Sequence, residues 1–321
     1  MHKTIKIAGL ILVCFSFSLF IAISQTRYNG IWLTYNMQNF FDDTTSGTEY
    51  PEFTAGRWNR FMYEKRLIRF GEVFRALAQQ AGQIQLAVLQ EVESALVVQD
   101  LIKTTPSLHG MQSIFAKHPD GATGIALLSR YPLIDAESYD SSLFGIQSRP
   151  LLKARVAVGK TIVTIIACHL PSRRTAASAE SRQRMLRFIA EIIERDKQLY
   201  NSEYFMIAGD FNTAFEDNAH LLPDNSWHSH FVNLWQAFEA GNAGSYLYRG
   251  QWQKLDHIIL SKTFLAAESP LKVTGFHVFK AKRLFSEPFS KIAGFSTATG
   301  YGYSDHLPLV AAVRYNIFKV K

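Results

Sequence analysis

Polar residues close apolar runs at six places along the 321-residue chain: Asn36, Glu91, His169, Asp210 with Asn212, Asp256, and Asp305 with His306. One acid or amide beside a strand is commonly a turn former or a helix cap. Six such edges in one chain can instead converge on one rim of a sheet and form a site. Asn36, Glu91, Asp210, Asn212 and Asp305 offer oxygen donors, the set that hard magnesium or manganese ions prefer. Histidine beside such donors moves protons near neutral pH or donates to growing negative charge. No His-Glu-x-x-His motif and no cysteine pair is present, which excludes zinc sites of those kinds. Ser304-Asp305-His306 is no hydrolytic triad, because triads are assembled from separated segments, and the chain has no Gly-x-Ser-x-Gly elbow.

The elements that must carry these groups can be read from hydrophobic period. Ile31 to Tyr35 predicts a strand running into Asn36, Gln38 and Asn39; Leu86 to Leu89 leads into Gln90 and Glu91; Ile125 to Leu128 precedes the turn at Tyr131-Pro132. Leu151 to Val158 and Thr161 to Cys168 flank Gly159-Lys160, a two-residue hairpin pattern whose second strand ends at His169. Tyr204 to Ala208 delivers Gly209-Asp210-Phe211-Asn212, Ile258 to Leu260 follows Asp256-His257, and Leu307 to Val313 follows Ser304-Asp305-His306. Two long helices are predicted. Trp58 to Ala81 carries Phe61, Leu67, Ile68, Phe70, Val73, Phe74 and Leu77 as an apolar stripe with basic residues outside, and Ala176 to Tyr200 carries Met185, Phe188, Ile189, Ile192 and Ile193. Many strands with two long helices imply sheets packed together and covered by helices. Length alone favours two domains, but a site drawing on residues from 36 to 306 requires one.

In order and spacing, these segments resemble the endonuclease/exonuclease/phosphatase superfamily, metal-dependent phosphodiesterases that include deoxyribonucleases, abasic-site endonucleases, sphingomyelinases and inositol-phosphate phosphatases. The resemblance runs from about residue 30 to the C-terminus and rests on Thr34 to Asp42, Leu89 to Glu93, Gly124 to Ser129, Ser148-Arg149-Pro150, Cys168 to Ser172, Gly209-Asp210-Phe211-Asn212, Leu255-Asp256-His257 and Ser304 to Pro308. It implies an α+β fold, a four-layered α/β/β/α sandwich of two mostly antiparallel sheets face to face with helices outside. It also implies Glu91 as the main metal ligand, helped by Asn36 and Asp305. Asp210 then accepts a proton from the attacking water, and Asn212 orients that water or steadies the transition state. His306 and His169 fall on phosphate oxygens, and His169 is also a candidate general acid. Asp256 holds a histidine or a second metal. Arg149, Arg173 and Arg174 fit backbone phosphates. The cofactor implied is magnesium or manganese, with calcium as a candidate second ion. Asn39 and Asp42 fit local turn hydrogen bonding. Ala126 departs from a bacterial branch that places an aspartate there, which removes a second-metal role at that position.

Composition agrees with a globular protein: 47% hydrophobic, 13% aromatic and 19% charged, with a formal charge of +7, two units of it on Lys3 and Lys6. A basic balance leans toward anionic partners. His2, Lys3 and Lys6 precede an uncharged stretch from Ile7 to Ile23, so residues 1–24 are expected to be a signal peptide or an N-terminal membrane anchor and residues 25–321 the catalytic domain. The expected location is periplasmic or secreted after cleavage, or anchored by residues 7–23. Membrane contact is expected only through that segment, with no obligate protein partner. With Cys14 in the leader, Cys168 is left as an inert buried thiol. Histidine at 169 and the arginines favour nucleic acid as substrate, DNA cut endonucleolytically with little sequence preference. The alternative is a phosphatase or sphingomyelinase-type activity on inositol phosphates or phospholipid head groups; for the latter, no exposed aromatic hairpin for inserting into lipid is evident in the sequence. A noncatalytic relative would be expected to have lost Asp210 or His306, and both are present.

Overall fold

The computed structural model describes residues 23–146, 149–173, 176–214, 227–238, 244–287 and 290–320. The expected leader lies outside them apart from its last two positions, and so does Arg174. In chain order the strands are β1 (Ile23–Phe40), β2 (Ile84–Val92), β3 (Gln112–Ala116), β4 (Gly124–Ser129), β5 (Leu133–Tyr139), β6 (Leu151–Val158), β7 (Thr161–His169), β8 (Tyr204–Asp210), β9 (Phe231–Asn233), β10 (Tyr246–Tyr248), β11 (Gln251–Gln253), β12 (Asp256–Ser261), β13 (Leu271–Val278), β14 (Phe285–Glu287), β15 (Lys291–Ile292) and β16 (Leu309–Val320). The helices are α1 (Arg60–Gln80), α2 (Ala95–Thr104) and α3 (Ala176–Tyr200), with single turns α4 (Trp227–His230) and α5 (Leu234–Ala237).

The two main sheets run β13-β16-β1-β2-β4-β3 and β5-β6-β7-β8-β12-β9. Each holds one parallel pair, β1 with β2 and β7 with β8, among antiparallel neighbours. A parallel pair needs a crossover, and α1 and α3 supply one each. Burial shows the layering. In β7, Val163, Ile165 and Ala167 join the core shared with the first sheet, while Ile166 and Cys168 pack with Met185, Ile189, Ile192 and Ile193 of α3. β8 and β12 alternate likewise, Met206, Ala208, Ile258 and Leu260 facing one way and Phe205, Ile207 and Ile259 the other. Leu67, Phe70, Phe74 and Leu77 of α1 belong to the first core. The result is the four-layered α/β/β/α sandwich expected from the sequence. Central strands covered on both faces read as continuous apolar runs, whereas edge strand β5 alternates.

Local chemistry sets the ends of these elements. Asn59 caps α1 by accepting from the Met62 N–H at 3.1 Å, and Ser94 caps α2 by accepting from Val97 N–H at 3.2 Å. Gly159, at φ 63°, closes the β6–β7 hairpin.

The stripe expected on the first long helix is corrected in one respect. Phe61 and Ile68 are 63% and 64% exposed, and the buried face is Tyr63, Arg66, Leu67, Phe70, Val73, Phe74 and Leu77. Arg66 is thus a basic residue on the inner face. It lies three residues from Tyr63 and four from Phe70, so helical geometry puts it on the buried stripe whatever its polarity.

Candidate active site

Both parallel pairs deliver polar residues to the same end of the sandwich. In the first sheet Asn36 stands opposite Gln90, and register shifts follow on both strands. Glu91 sits in that irregularity at φ 61°, a left-handed conformation that takes its side chain out of the strand's alternation. In the second sheet His169 stands opposite Asp210, and antiparallel β12 sets Asp256 opposite Asp210 from the other side. Asp305 and His306 come from the segment entering β16, and His306 bridges to Tyr246. Six non-glycine residues have positive φ among the described residues, and four of them, Gln38, Asn39, Glu91 and Asn212, belong to this site. Backbone strain of that kind persists where surrounding structure imposes it.

Asp210 is the meeting point. Its Oδ2 accepts from Asn36 Nδ2 at 3.1 Å and lies 3.5 Å from His169 Nε2 and 3.9 Å from His306 Nε2; its Oδ1 accepts from the Asn212 N–H at 2.8 Å. Asn36 also donates to Glu91 Oε1 at 3.2 Å, and its own Oδ1 accepts from the Gln38 N–H at 2.9 Å. Glu91 Oε2 accepts from the Asn39 N–H at 2.9 Å, and its Oε1 lies 3.8 Å from His169 Nε2. His306 Nδ1 meets Asp256 Oδ2 at 2.7 Å. Asn212 Nδ2 donates to the Leu170 carbonyl at 3.0 Å. Ser304 Oγ donates to the Asn36 carbonyl at 2.7 Å and accepts from the His306 N–H, tying the last segment to the first strand.

Electrostatics separates these groups. Burial, joined by the Asp256 charge, raises the Asp210 carboxyl to about 7. Burial also raises Asp305. For His306 burial acts downward, but the Asp256 carboxylate on Nδ1, with Asp210 and Asp305 beyond, carries it well above its ordinary value. His169 moves the other way: burial, with the Arg149 and His306 charges, keeps it neutral well below its ordinary range. Its Nδ1 is buried without a hydrogen-bond partner. The two histidines therefore differ in charge at neutral pH.

The donors fit a hard divalent cation. Glu91 and Asp305 line an open cleft of about 940 Å³, and Asp210, Asp256 and His306 have ligand atoms all within 4.8 Å of one another. Oδ1 of the buried Asp256 carboxylate has no hydrogen-bond partner, and oxygen atoms dominate the set. Asn36 turns its amide nitrogen toward the acids, so ligation through its oxygen requires the amide to turn over.

Arg149 and Arg173 line the same cleft, and Arg173 donates to Gln253 Oε1 at 2.6 Å. Asp42 lies outside it in a turn, accepting from the Thr44 N–H at 2.7 Å while its own N–H donates to Glu93. Cys168 is buried and its thiol is raised well above its ordinary range by burial. Sequence reasoning missed Arg66, which bonds the carbonyls beneath the Asn36 end of β1, and the β10–β11 hairpin. That hairpin corrects the reading that no exposed aromatic hairpin is evident: it carries Tyr246, Tyr248 and Trp252, with Tyr246 and Tyr248 on the cleft, Tyr248 48% exposed and the Tyr246 ring 4.9 Å from His306. Arg249-Gly250 between Tyr246-Leu247-Tyr248 and Gln251-Trp252-Gln253 was its available mark in the sequence.

Two sheets with acids and histidines at their shared strand ends define a class of phosphoester hydrolase folds, and comparison with known proteins agrees. Residues 32–315 match the Endonuclease/Exonuclease/phosphatase family, and the chain belongs to it. The uncharacterized protein YbhP of Escherichia coli K12 is 35% identical over 110 residues, 33% of this chain. The match spans about 40% of the length of that relative. Among solved structures, truncated TDP2 of Caenorhabditis elegans is similar with a TM-score of 0.57 and 15% identity, covering 90% of this chain and 98% of that one. D. rerio TDP2 complexed with single strand DNA product gives 0.58 and 15%, covering 89% and 98%. An endonuclease/exonuclease/phosphatase family protein from Bacteroides thetaiotaomicron gives 0.57 and 12%, covering 91% and 97%. At these identities the likeness is one of fold.

Proposed function

We propose that the chain is a divalent-metal-dependent phosphodiesterase whose substrate is nucleic acid, DNA in the first place, cut endonucleolytically with little sequence preference. What carries the reading is Asp210, a buried carboxylate whose Oδ2 lies 3.5 Å from His169 Nε2 and 3.9 Å from His306 Nε2. As the anion it takes a proton from a water attacking phosphorus, and Asn212 helps to orient that water. His306, held as imidazolium by Asp256, donates from Nε2 to a phosphate oxygen as charge grows there. His169, neutral, adds a hydrogen bond through its Nε2 but is a poor proton source at neutral pH, so the general-acid role implied for it by family resemblance does not follow from its environment. Glu91, Asp305 and, with its amide turned, Asn36 would hold the cation, magnesium or manganese by donor chemistry. Such an ion neutralises charge on the phosphate and on the leaving oxygen.

Substrate class is supported by the shape of the cleft. Cavities of about 710 and 290 Å³ adjoin it, the first sharing Tyr50, Arg149 and Ser172, the second Gln38, Asn39 and Glu52. A cleft that continues into neighbouring cavities has room for more than one phosphate unit, which suits a polymer better than an inositol phosphate or a lipid head group. The DNA product bound by D. rerio TDP2 supports the same choice. Hydrolysis of plasmid, abasic duplex, RNA, sphingomyelin and inositol phosphates, with magnesium, manganese or calcium restored after chelation, tests the reading. Nicked and linear plasmid is expected. Phosphate release from inositol phosphates with plasmid untouched overturns the substrate, and turnover in excess chelator overturns the metal. We infer export from the leader; N-terminal sequencing of the mature protein distinguishes a start near Gln25 from an anchored, intact Met1.

A further inference from the structure

Arg66 is 1% exposed, and its partners are carbonyls. Nη2 donates to Met37 O at 2.6 Å and Gln38 O at 3.0 Å, and Nη1 donates to Asn39 O at 3.4 Å. Nη2 also reaches Tyr303 O at 3.5 Å, on the segment that leads to Asp305. The guanidinium lies 4.0 Å from the Phe295 ring centroid and 4.9 Å from that of Phe70. Burying a charge with neutral partners is costly, and burial pulls this one down to about 9 while Tyr35, Asp305 and Glu91 act to raise it.

The three carbonyls belong to the turn at the end of β1, where Gln38 and Asn39 adopt consecutive left-handed conformations at φ 47° and 54°. Three carbonyls on one side leave the N–H groups of that turn facing the other way. There the Gln38 N–H holds Asn36 Oδ1, and the Asn39 N–H holds Glu91 Oε2. We propose that Arg66 is a positioning residue for the metal pocket: its planar fork gathers the Met37–Asn39 carbonyls, and the inverted turn then fixes the Glu91 carboxylate in ligating position and holds the Asn36 amide beside it. A planar guanidinium with several donors is suited to this; an ammonium, being a point donor, matches the spread of the carbonyls less well.

This inference rests on the proposed metal-dependent activity, and the sign of its outcome separates it from a simple charge effect. A buried cation near Glu91 and Asp305 repels an incoming cation, so deleting its charge alone would tighten metal binding. Loss of affinity on deletion therefore reports lost geometry.

The test is Mn²⁺ binding to the full chain by electron paramagnetic resonance in wild type, Arg66→Lys and Arg66→Met, with Phe70→Leu as a packing control and melting in chelator as a check of folding. Expected is a loss of about ten- to a hundredfold in Mn²⁺ affinity in Arg66→Met, the range for residues that orient metal ligands, with a smaller loss in Arg66→Lys and wild-type affinity in Phe70→Leu. If Arg66→Met does not fold, Arg66→Lys decides. Unchanged or tighter Mn²⁺ binding in the folded Arg66 variants overturns the positioning role while leaving the proposed function standing. Absence of Mn²⁺ binding by the wild type removes both.

Discussion

Asp256 shows how one residue sets the behaviour of another. Its carboxylate lies 2.7 Å from His306 Nδ1, and with it in place His306 stays cationic above its ordinary range. Asp256→Asn keeps a hydrogen-bonding oxygen of similar reach but removes the charge, so the His306 pKa falls and the imidazolium is depleted as pH rises. Rate is expected to drop by on the order of a hundredfold at pH 8, as for loss of a transition-state donor, and by much less at pH 6, where His306 still protonates. A pH–rate profile checks this; an equal loss at both values would mean that Asp256 acts without changing the charge of His306. Asp210→Asn, which removes the proposed base, is expected to lose activity at every pH.

At the scale of elements, the parallel pair β7–β8 depends on Gly209. Its φ of 149° is available to few side chains, and a Cβ there would sit 1.8 Å from the Cys168 carbonyl oxygen. Gly209→Ala is expected to destabilise by roughly 3 kcal/mol or more, because the clash is with backbone and cannot be relieved by a rotamer; the denaturation midpoint measures it. The Gly-Asp-Phe-Asn segment was legible because its glycine, its acid and its amide lie together in sequence. So were the two crossover helices, the Gly159 hairpin and the strands that end at Asn36, Glu91, His169 and Asp210, since doubly buried strands are long apolar runs bounded by polar residues. Arg66 was not legible. An arginine on an amphipathic helix reads as solvent-facing, and its carbonyl partners come from a strand end whose inverted turn has no mark in residue type. Nor was the direction of the Asn36 amide, which depends on contacts from both sheets, or the difference in charge between His169 and His306, which depends on Asp256, 50 residues before His306.

Across the whole molecule, buried acids make stability depend on pH. Asp210 is raised to about 7 and Glu93 to about 8, the latter by burial together with the Asp42 and Glu49 charges. Between their unfolded values and these pKa values the folded chain binds more protons than the unfolded one, so their contribution falls as pH rises. His306, raised in the folded state, contributes in the same direction above about pH 6.5. In chelator the melting temperature is therefore expected to fall between pH 6.5 and 8, by up to about 1.4 kcal/mol of stability per pH unit for each proton released, and added Mn²⁺ should flatten that slope. A melting temperature that rises over this interval in chelator would contradict the assignment.

The first and last long strands, β1 and β16, lie side by side, Thr34 against Leu309 and Ile31 against Ala312, with Asn36 just past the stretch of β1 paired with β16 and His306 just before β16. These contacts join segments far apart in sequence, so the loop-closure entropy of bringing them together must be met before they form. A chain cut between residues 210 and 305 keeps Glu91 and Asp210 but lacks Asp305 and His306, and its cluster stays incomplete however well the earlier portion collapses. The assembled cluster thus serves as a seal on the finished fold, present only when the first and last long strands have met.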